Sequence, residues 1–302
     1  MIWRTTIAGV VMVVGVATGP SAQAQSGSLD PLQVLAAIPV QNEYQSGYSR
    51  ELFPHWLDVD GDGCNAREQV LKRDSVSLPQ VDPIDCYVVA GDWLSPYDGR
   101  MVRDRTQVDI DHVVALKEAW DSGAWAWSAA QRTAFANDTS DRRSLVASSA
   151  SSNRSKSDKD PSNWLPTRSS YVCTYLGNWV AIKARWGLSM DRSEYGRIRN
   201  VLTSRCAGLR IAPWGRVSGL PAPGATTPAV TPTSAPVSPD SSSGSASTVA
   251  PSVTSGTVFP GAWCKPEGAV GLSAKSVQYV CSTTSLEGKP YSDGRPRWRR
   301  TS

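Results

Sequence analysis

The sequence lacks several features that would assign a protein of this length to a class at once. No segment reaches the roughly 20 consecutive apolar residues that a membrane-spanning helix requires. No two cysteines have the C-x-x-C spacing that is typical of cysteine zinc sites. Histidine occurs only twice, as His55 and His112, so few side chains would titrate near neutral pH. We therefore expect no membrane-spanning segment and no cysteine zinc site.

The overall charge is also small. A formal net charge of +4 is compatible with a nucleic-acid partner but does not require one. Local charge is more informative, because the run Arg295–Arg300 combines four arginines with Trp298. Such a run could contact phosphates or an anionic cell envelope, and a solvated C-terminal tail is the plain alternative.

The N-terminus has the pattern of an export signal. Arg4 precedes an apolar stretch over residues 7–17, and Ala22-Gln23-Ala24 has the form of a cleavage site. We expect a signal peptide over residues 1–24 and a secreted, extracellular product; an uncleaved N-terminal anchor is the alternative.

The six cysteines agree with export, since an even number in an exported chain suggests disulfides. They occur as three neighbouring pairs along the sequence, so sequential pairing is the simplest arrangement. The expected disulfides are Cys64–Cys86, Cys173–Cys206 and Cys264–Cys281.

Composition divides the rest of the chain into four parts. Residues 25–39 are expected to be a leader and residues 40–215 the main domain. Residues 216–257 are rich in Pro, Ser and Thr and predict a disordered linker. Residues 258–302 form a small module of unknown role, with one disulfide as a staple and no catalytic constellation.

Periodicity predicts an α+β main domain. The predicted strands cover residues 107–115 and 144–147. The predicted helices start at Lys117, at Ser128 with a capping box to Gln131, and at residue 149. Two further amphipathic helices are predicted over residues 171–186 and 193–206.

One constellation carries chemistry. His112 directly follows Asp111 at the end of a predicted strand, which places a hard oxygen ligand beside a titratable imidazole. Asn153 offers a second oxygen ligand for a divalent metal. Three basic residues that follow could contact phosphate: Arg154, Lys156 and Lys159. This combination suits metal-assisted phosphodiester hydrolysis, whereas a surface Asp–His pair and a helix cap are the ordinary alternative.

The order and spacing of these residues resemble the HNH nuclease motif. The two core segments are Asp109–Val114 and Asn153–Asp158. Further matching segments are Gly47–Arg50, Trp56–Asp60, Gly63–Asn65, Ser95–Gly99 and Asp160–Pro166. Over residues 45–206 the chain resembles secreted bacterial HNH proteins that share the C-terminal nuclease domain of GmrSD-type restriction enzymes.

The resemblance implies a ββα-metal (His-Me finger) core with added helices. It implies His112 as general base, with Asp111 and Asn153 binding a divalent metal, expected to be Mg²⁺ with Mn²⁺ or Zn²⁺ as alternatives. The chain departs from the pattern at the motif's middle asparagine, where it has Asp141–Ser144. That residue mainly orients the loop that carries the histidine. His55, in an aromatic patch with Phe53 and Trp56, is expected to be structural.

A second metal site is suggested by an Asp-rich segment. Asp58, Asp60 and Asp62, followed by Gly63, match the start of an EF-hand calcium loop. Gln69 replaces the usual final glutamate, and no helix is evident before the loop. The alternative is a turn fixed by a Cys64 disulfide and an Arg67 ion pair.

Two functions follow from these observations. The first is a secreted, monomeric, metal-dependent HNH endonuclease that cleaves nucleic acid, expected to be DNA. The second is a non-catalytic protein with a degenerate HNH site, which binds calcium through the Asp-rich loop and the cell envelope through its C-terminal module. The intact set of Asp111, His112 and Asn153 favours the enzyme.

Overall fold

The computed structural model describes residues 27–83, 86–221, 253–258, 264–273, 276–284, 288, 290–291 and 294–301. The expected signal peptide lies outside this part of the chain, as do residues 222–252 of the expected linker.

The protein is a mixed α/β chain with small sheets. Its helices in the described residues are α1 Pro31–Ala36, α2 Ala66–Asp74, α3 Leu116–Asp121, α4 Ala129–Ala136, α5 Ala150–Lys156, α6 Val172–Arg185 and α7 Arg192–Arg205. Its strands there are β1 Gln80–Val81, β2 Val88–Ala90, β3 Trp93–Leu94, β4 Met101–Val102, β5 Val108–His112, β6 Leu145–Ser149, β7 Val253–Thr257, β8 Val270–Leu272, β9 Gln278–Ser282 and β10 Arg297–Arg300.

Strands β5 and β6 and helix α5 pack together as one unit within the main domain, the β5–β6–α5 unit. The strands are antiparallel, with Val108 opposite Ser149 and His112 opposite Leu145. Every residue of both strands is buried, so both faces of the pair are covered. Helix α5 begins at once because the Ser149 hydroxyl accepts the Ser152 N–H at 3.3 Å, which caps the first turn.

The connection between β5 and β6 contains α3 and α4. Ser128 and Gln131 form the predicted capping box, with each side chain accepting a backbone N–H from the other residue. The predicted strand–helix–strand–helix order is therefore confirmed in this segment.

Helices α6 and α7 pack with α1 around the first hydrophobic core. The expected leader over residues 25–39 is wrong for most of its length. Leu35 and Ile38 are buried in this core, and Leu29 forms an antiparallel bridge with Ile211. The apolar side chains of this segment fall on one side of α1 and are covered by α6 and α7, so the segment belongs to the domain.

Lys183 lies inside this core with its side chain fully buried. Its ammonium group binds Glu118 at 2.5 Å and Glu194 at 2.9 Å, and it donates to the Ser122 hydroxyl and the Ser189 carbonyl. Burial raises the pKa of Glu194 to about 8, against the lowering effect of the Lys183 charge. The network links α3, α6 and α7 through one cation.

The C-terminal module forms a sheet in the order β10-β9-β8-β7. Strand β7 pairs in parallel with β8, so the expected linker end at residue 257 is wrong: residues 253–257 are held by this sheet. The main domain also continues past residue 215. The Gln131 side chain donates to the Gly219 carbonyl at 2.7 Å, and Leu220 packs against the first core.

A second hydrophobic core contains residues of both the main domain and the C-terminal module. The main-domain members include Trp56, Leu71, Val108, Ile110 and Leu145, and the module members include Ala269, Tyr279, Cys281 and Trp298. An ion pair joins the same two parts, with Arg300 Nη1 and Asp82 Oδ2 at 2.5 Å. The module is therefore packed against the main domain.

The six cysteines form three disulfides, Cys64–Cys86, Cys173–Cys206 and Cys264–Cys281. These are the sequential pairs expected from the sequence. The second bridge ties the start of α6 to the end of α7. Among the described helices, none combines the length and apolar character needed to cross a bilayer.

Removing the charge of Lys183 should destabilise the protein strongly. Lys183→Met leaves Glu118 and Glu194 buried without a cation, which costs about 3–5 kcal/mol of unfolding free energy. Arg103→Met is the control, because Arg103 is largely exposed and pairs with Asp92 at the surface, at 3.0 Å; its loss should stay below about 1 kcal/mol. Urea denaturation checks both variants, and equal losses would contradict the role given to the buried network.

Candidate active site

A cavity of about 250 Å³ lies beside the end of strand β5. It brings together four of the residues singled out in the sequence: Asp111, His112, Asn153 and Arg154. Strand β5 supplies the first two and helix α5 the others. Lys159 does not line the cavity; it is exposed, and its ammonium donates to the Ser155 carbonyl at 2.8 Å.

His112 is held in one tautomer by a backbone group. Its Nε2 lies 2.8 Å from the Ala136 carbonyl oxygen. A carbonyl can only accept, so Nε2 carries the proton and Nδ1 of the neutral ring carries the lone pair. Trp56 stacks on the ring at 5.5 Å between centroids. Burial lowers the pKa of His112 well below its ordinary value, and the nearby His55 adds to this, so the neutral form that can accept a proton is favoured.

Asp111 is buried and already has two partners. Its Oδ1 accepts from the Lys156 ammonium at 2.9 Å, and its Oδ2 accepts from the Tyr97 hydroxyl. Burial raises the pKa of Asp111, and the charge of Lys156 opposes that shift. The carboxylate is thus fixed in position, and each of its oxygens has a second lone pair that these contacts do not use.

Lys156 does not occupy the phosphate-contacting position expected for it. Its side chain is fully buried, and the ammonium donates to Asp111 and to the His112 carbonyl at 2.9 Å each. The contact expected from the sequence is wrong here because the ammonium lies beneath the site. Lys156 instead ties helix α5 to the last two residues of β5.

Asn153 contacts an aspartate that was not singled out in the sequence. Its Nδ2 donates to Asp109 Oδ2 at 3.2 Å, and both residues line the cavity. Asp109 and Asp111 lie on the same face of β5 because successive side chains of a strand point to opposite faces. Strand β5 and helix α5 therefore bring the side-chain oxygens of Asp109, Asp111 and Asn153 to one cavity.

Positive charge dominates the rest of the cavity wall. Five arginines line it: Arg50, Arg67, Arg154, Arg295 and Arg297. They face three aspartates, Asp109, Asp111 and Asp158, of which Asp111 is paired with Lys156. A wall of this composition suits an anion, and guanidinium groups bind phosphate oxygens well.

Other groups replace the middle asparagine of the expected motif. In the segment Asp141–Ser144, the Ser144 carbonyl accepts the Val113 N–H at 3.0 Å, directly after His112. Asn137, next to the carbonyl that holds His112, accepts the Leu57 N–H and donates to the Pro54 carbonyl, both at 2.8 Å. Backbone and Asn137 contacts thus support the segments around the histidine.

His55 lies near the site without lining the cavity. Its Nδ1 donates to the Phe53 carbonyl at 2.7 Å, and its ring centroid is 6.2 Å from that of His112. Burial lowers the pKa of His55 to about 3, with the charge of Arg50 adding to the shift. These contacts agree with the structural role expected for it.

The Asp-rich segment forms a compact loop. One carboxylate oxygen each from Asp58, Asp60 and Asp62 lie within 4.8 Å of one another. Asp58 also accepts the N–H groups of Gly61 and Gly63 at 2.9 Å each. Gln69, at the position of the usual final glutamate, donates its amide to Asp60 at 3.0 Å. The geometry thus contains the carboxylate cluster, and of the alternative turn it contains the Cys64–Cys86 disulfide. The Arg67 side chain, expected to form an ion pair in that alternative, instead lines the cavity and donates to the Val108 carbonyl.

Several residues of the site were not identified from the sequence. Asp109 and Tyr97 lie inside segments that match the motif. The motif therefore indicated where they lie but assigned them no role. Arg50 likewise ends the matching segment Gly47–Arg50, and Arg67 was considered only as an ion-pair partner of the Asp-rich turn. Arg295 and Arg297 were noted only as part of a basic run, far along the chain from the motif.

Comparisons with known proteins identify a family for the main domain. The family model described as "GmrSD restriction endonucleases, C-terminal domain" matches residues 67–201. An "Uncharacterized secreted protein" from Arthroderma benhamiae is 41% identical over 185 residues, which are 61% of this chain and 86% of the relative. No solved structure gives a significant match. The matched range contains the β5–β6–α5 unit, and it ends before the C-terminal module.

Lys156→Met should act on stability. It leaves Asp111 buried without its cation, at a cost of about 3–5 kcal/mol. Adding Asp111→Asn should recover part of that loss, because a neutral amide needs no cation. Lys159→Met, an exposed control on the same segment, should change the unfolding free energy by less than about 0.5 kcal/mol. Thermal and urea unfolding check the series; a fully stable Lys156→Met protein would restore the phosphate-contact interpretation.

Calcium binding at the Asp-rich loop stays a prediction. If the loop holds Ca²⁺, millimolar CaCl₂ should raise the melting temperature of the wild-type protein, because a ligand that binds only the folded state stabilises it. Asp60→Asn should abolish that rise, whereas Glu51→Gln, which neutralises an exposed carboxylate outside both the loop and the cavity, should keep it. An identical rise in all three proteins, or none in the wild type, would favour the plain turn.

Proposed function

The chain belongs to the family of the C-terminal domain of GmrSD restriction endonucleases, and from that premise we propose that it is a secreted, metal-dependent HNH endonuclease. Its substrate is nucleic acid, which we take to be DNA, and its reaction is hydrolysis of phosphodiester bonds. The observation that carries the proposal is His112: its tautomer is set by a backbone carbonyl, and it lines a cavity of oxygen donors and arginines.

The β5–β6–α5 unit supports a ββα-metal core. The histidine ends the first strand, and Asn153 lies on the helix that follows the second. Ion pairing and hydrogen bonding between Lys156, Asp111 and the His112 backbone hold helix and strand together. The site residues are thus carried by a helix and a strand that are held together, and such rigid elements position reacting groups precisely.

The donors in the cavity fit a hard divalent cation. Asp111 and Asn153 would hold it, and Asp109 offers a third oxygen ligand beside Asn153. HNH-type nuclease domains generally use divalent metals. Mg²⁺ is our first choice, with Mn²⁺ or Zn²⁺ as alternatives. When bound, such an ion supplies positive charge to the scissile phosphate and the leaving oxygen.

The chain's own residues can accept the proton of the attacking water and bind the negative charge of the phosphate. His112 Nδ1 accepts a proton from the water that attacks phosphorus, while Nε2 keeps its proton on the Ala136 carbonyl. Arg154 on α5 binds a non-bridging phosphate oxygen at the cavity wall. Lys156 stays beneath the site, where its charge opposes the rise in the Asp111 pKa that burial causes. The imidazole thus works in the protonation state that its burial favours.

Secretion is part of the proposal. The Arthroderma benhamiae relative is named a secreted protein, and three disulfides suit an oxidising compartment. The second candidate, a non-catalytic calcium- and envelope-binding protein, is favoured only by the Asp58–Asp62 cluster. A protein that only binds calcium would not need the tautomer-fixed histidine.

The decisive test is plasmid cleavage by the purified protein. Activity should require added Mg²⁺ or Mn²⁺ and stop with EDTA. His112→Ala should lower the cleavage rate by about 10²–10⁴-fold, the usual effect of losing a general base. Circular dichroism should show an unchanged fold.

His55→Ala is the matched control, since it removes the other histidine, and its loss should be smaller. A single-stranded RNA substrate run in parallel separates the substrates: cleavage of RNA alone would reject DNA while keeping the nuclease. Wild-type rates in purified His112→Ala would end the proposal.

A further inference from the structure

The C-terminal module brings two cationic side chains to the cavity of the main domain. Arg295 precedes strand β10 and Arg297 begins it, and both line the cavity that contains His112. We propose that this module is part of the nuclease site, with Arg295 and Arg297 binding a phosphate of the substrate strand. The inference rests on the proposed function and adds a role for residues outside the range that the family model matches.

The two arginines differ in how they are held. Arg297 is buried, and its guanidinium lies 5.1 Å from the centre of the Tyr291 ring, so its position is fixed within the module. Arg295 is exposed beside the cavity. A buried cation with an exposed one next to it can contact a phosphate that enters the cavity from solvent.

The module is firmly seated where it meets the cavity. Trp298, the next residue of β10, is buried in the hydrophobic core that both parts share. Arg300 pairs with Asp82 of the main domain. The Pro296 carbonyl accepts the Cys264 N–H at 3.1 Å, and the Cys264–Cys281 disulfide secures that contact to β9. The arginines are therefore presented by a stapled sheet.

This arrangement favours phosphate binding at the cavity over the other uses first considered for the basic run. A solvated tail is contradicted, because Arg297–Arg300 form a paired strand. Envelope binding would need the charges on an outer surface. Instead Arg297 is buried at the cavity and Arg300 is paired with Asp82.

Like charges within the cavity give a physical reason for an anionic ligand. Arg67 is fully buried and donates to the Val108 carbonyl at 3.0 Å. Burial lowers the pKa of Arg67 to about 10, and the positive charge of Arg297 is the next largest contribution to that shift. Both guanidinium groups line the same cavity and carry the same charge, so both attract a phosphate that binds there. The main domain and the module thus offer one binding site for a backbone phosphate.

The test uses the full-length chain in two readouts. Binding of a short labelled DNA duplex is measured in the non-cleaving His112→Ala background with Mg²⁺, and plasmid cleavage is measured in the otherwise wild-type protein. Arg295→Gln is the main variant, because an exposed side chain can be changed without unfolding the module. Arg297→Gln is the second, with its fold checked by circular dichroism. Lys265→Gln is the matched control: the same charge change on an exposed residue of the same module that does not line the cavity.

We expect Arg295→Gln to weaken binding about fivefold at 0.15 M salt and to reduce the dependence of log K on log salt by about 0.9, the value for one phosphate contact. Cleavage at low substrate concentration should fall by a similar factor, and Lys265→Gln should match the parent protein. Equal binding by Arg295→Gln and Lys265→Gln overturns the inference. Faster cleavage by Arg295→Gln also overturns it, because the module would then block the site.

The two proposals fail in different ways. If the protein binds duplex DNA through Arg295 but never cleaves it, the nuclease proposal is rejected and the proposed phosphate site is retained. If cleavage is lost in His112→Ala but unchanged in Arg295→Gln and Arg297→Gln, the nuclease proposal is retained. The proposed role of the module is then rejected.

Discussion

The ammonium group of Lys156 lies between helix α5 and the end of strand β5, where it contacts the Asp111 carboxylate and the His112 carbonyl. Water cannot solvate a charge at this depth, so the cation must keep both partners. Helix and strand are held in one relative position as a result. The oxygen donor of Asn153 and the imidazole of His112 lie on those two elements, and their arrangement depends on this buried contact.

The same strand also connects the site to the second hydrophobic core. Asp109 and Asp111 share the face of β5 that meets α5, while Val108 and Ile110 belong to the core shared with the C-terminal module. Both faces of β5 are buried, which is why a strand of alternating acidic and apolar residues carries no exposed side chain. Polar groups on the first face are tolerated because each has a partner.

Much of this arrangement follows from local sequence rules. Alternation predicted β5, the capping box predicted α4, and the amphipathic periods predicted α6 and α7. The site residues on β5 and α5 were predicted because the motif places them in adjoining elements. Lys156 was misjudged for a physical reason: lysine is almost always solvated, and its burial depends on a partner that only tertiary contact provides.

Long-range contacts account for the remaining errors. The helix within residues 29–38 is too short for its sequence pattern to show that α6 and α7 cover it. The burial of Leu35 and Ile38 could therefore not be predicted. The boundary at residue 257 was drawn on composition, whereas β7 is defined by hydrogen bonds to β8. Composition describes what a segment can bury by itself, so it cannot show that a distant sheet will accept the segment as an additional strand.

The position of the C-terminal module could not be predicted for the same reason. That position changes what the main domain can be expected to do alone. The shared core includes Trp298 beside main-domain residues such as Trp56, whose ring stacks on His112. Removing the module would expose apolar surface next to His112 as well as remove two arginines from the cavity. Loss of activity in a truncated chain would therefore not separate phosphate binding from support of the histidine. Charge-neutralising substitutions on an intact module separate the two, because they leave the shared core in place and change only the groups that face the cavity.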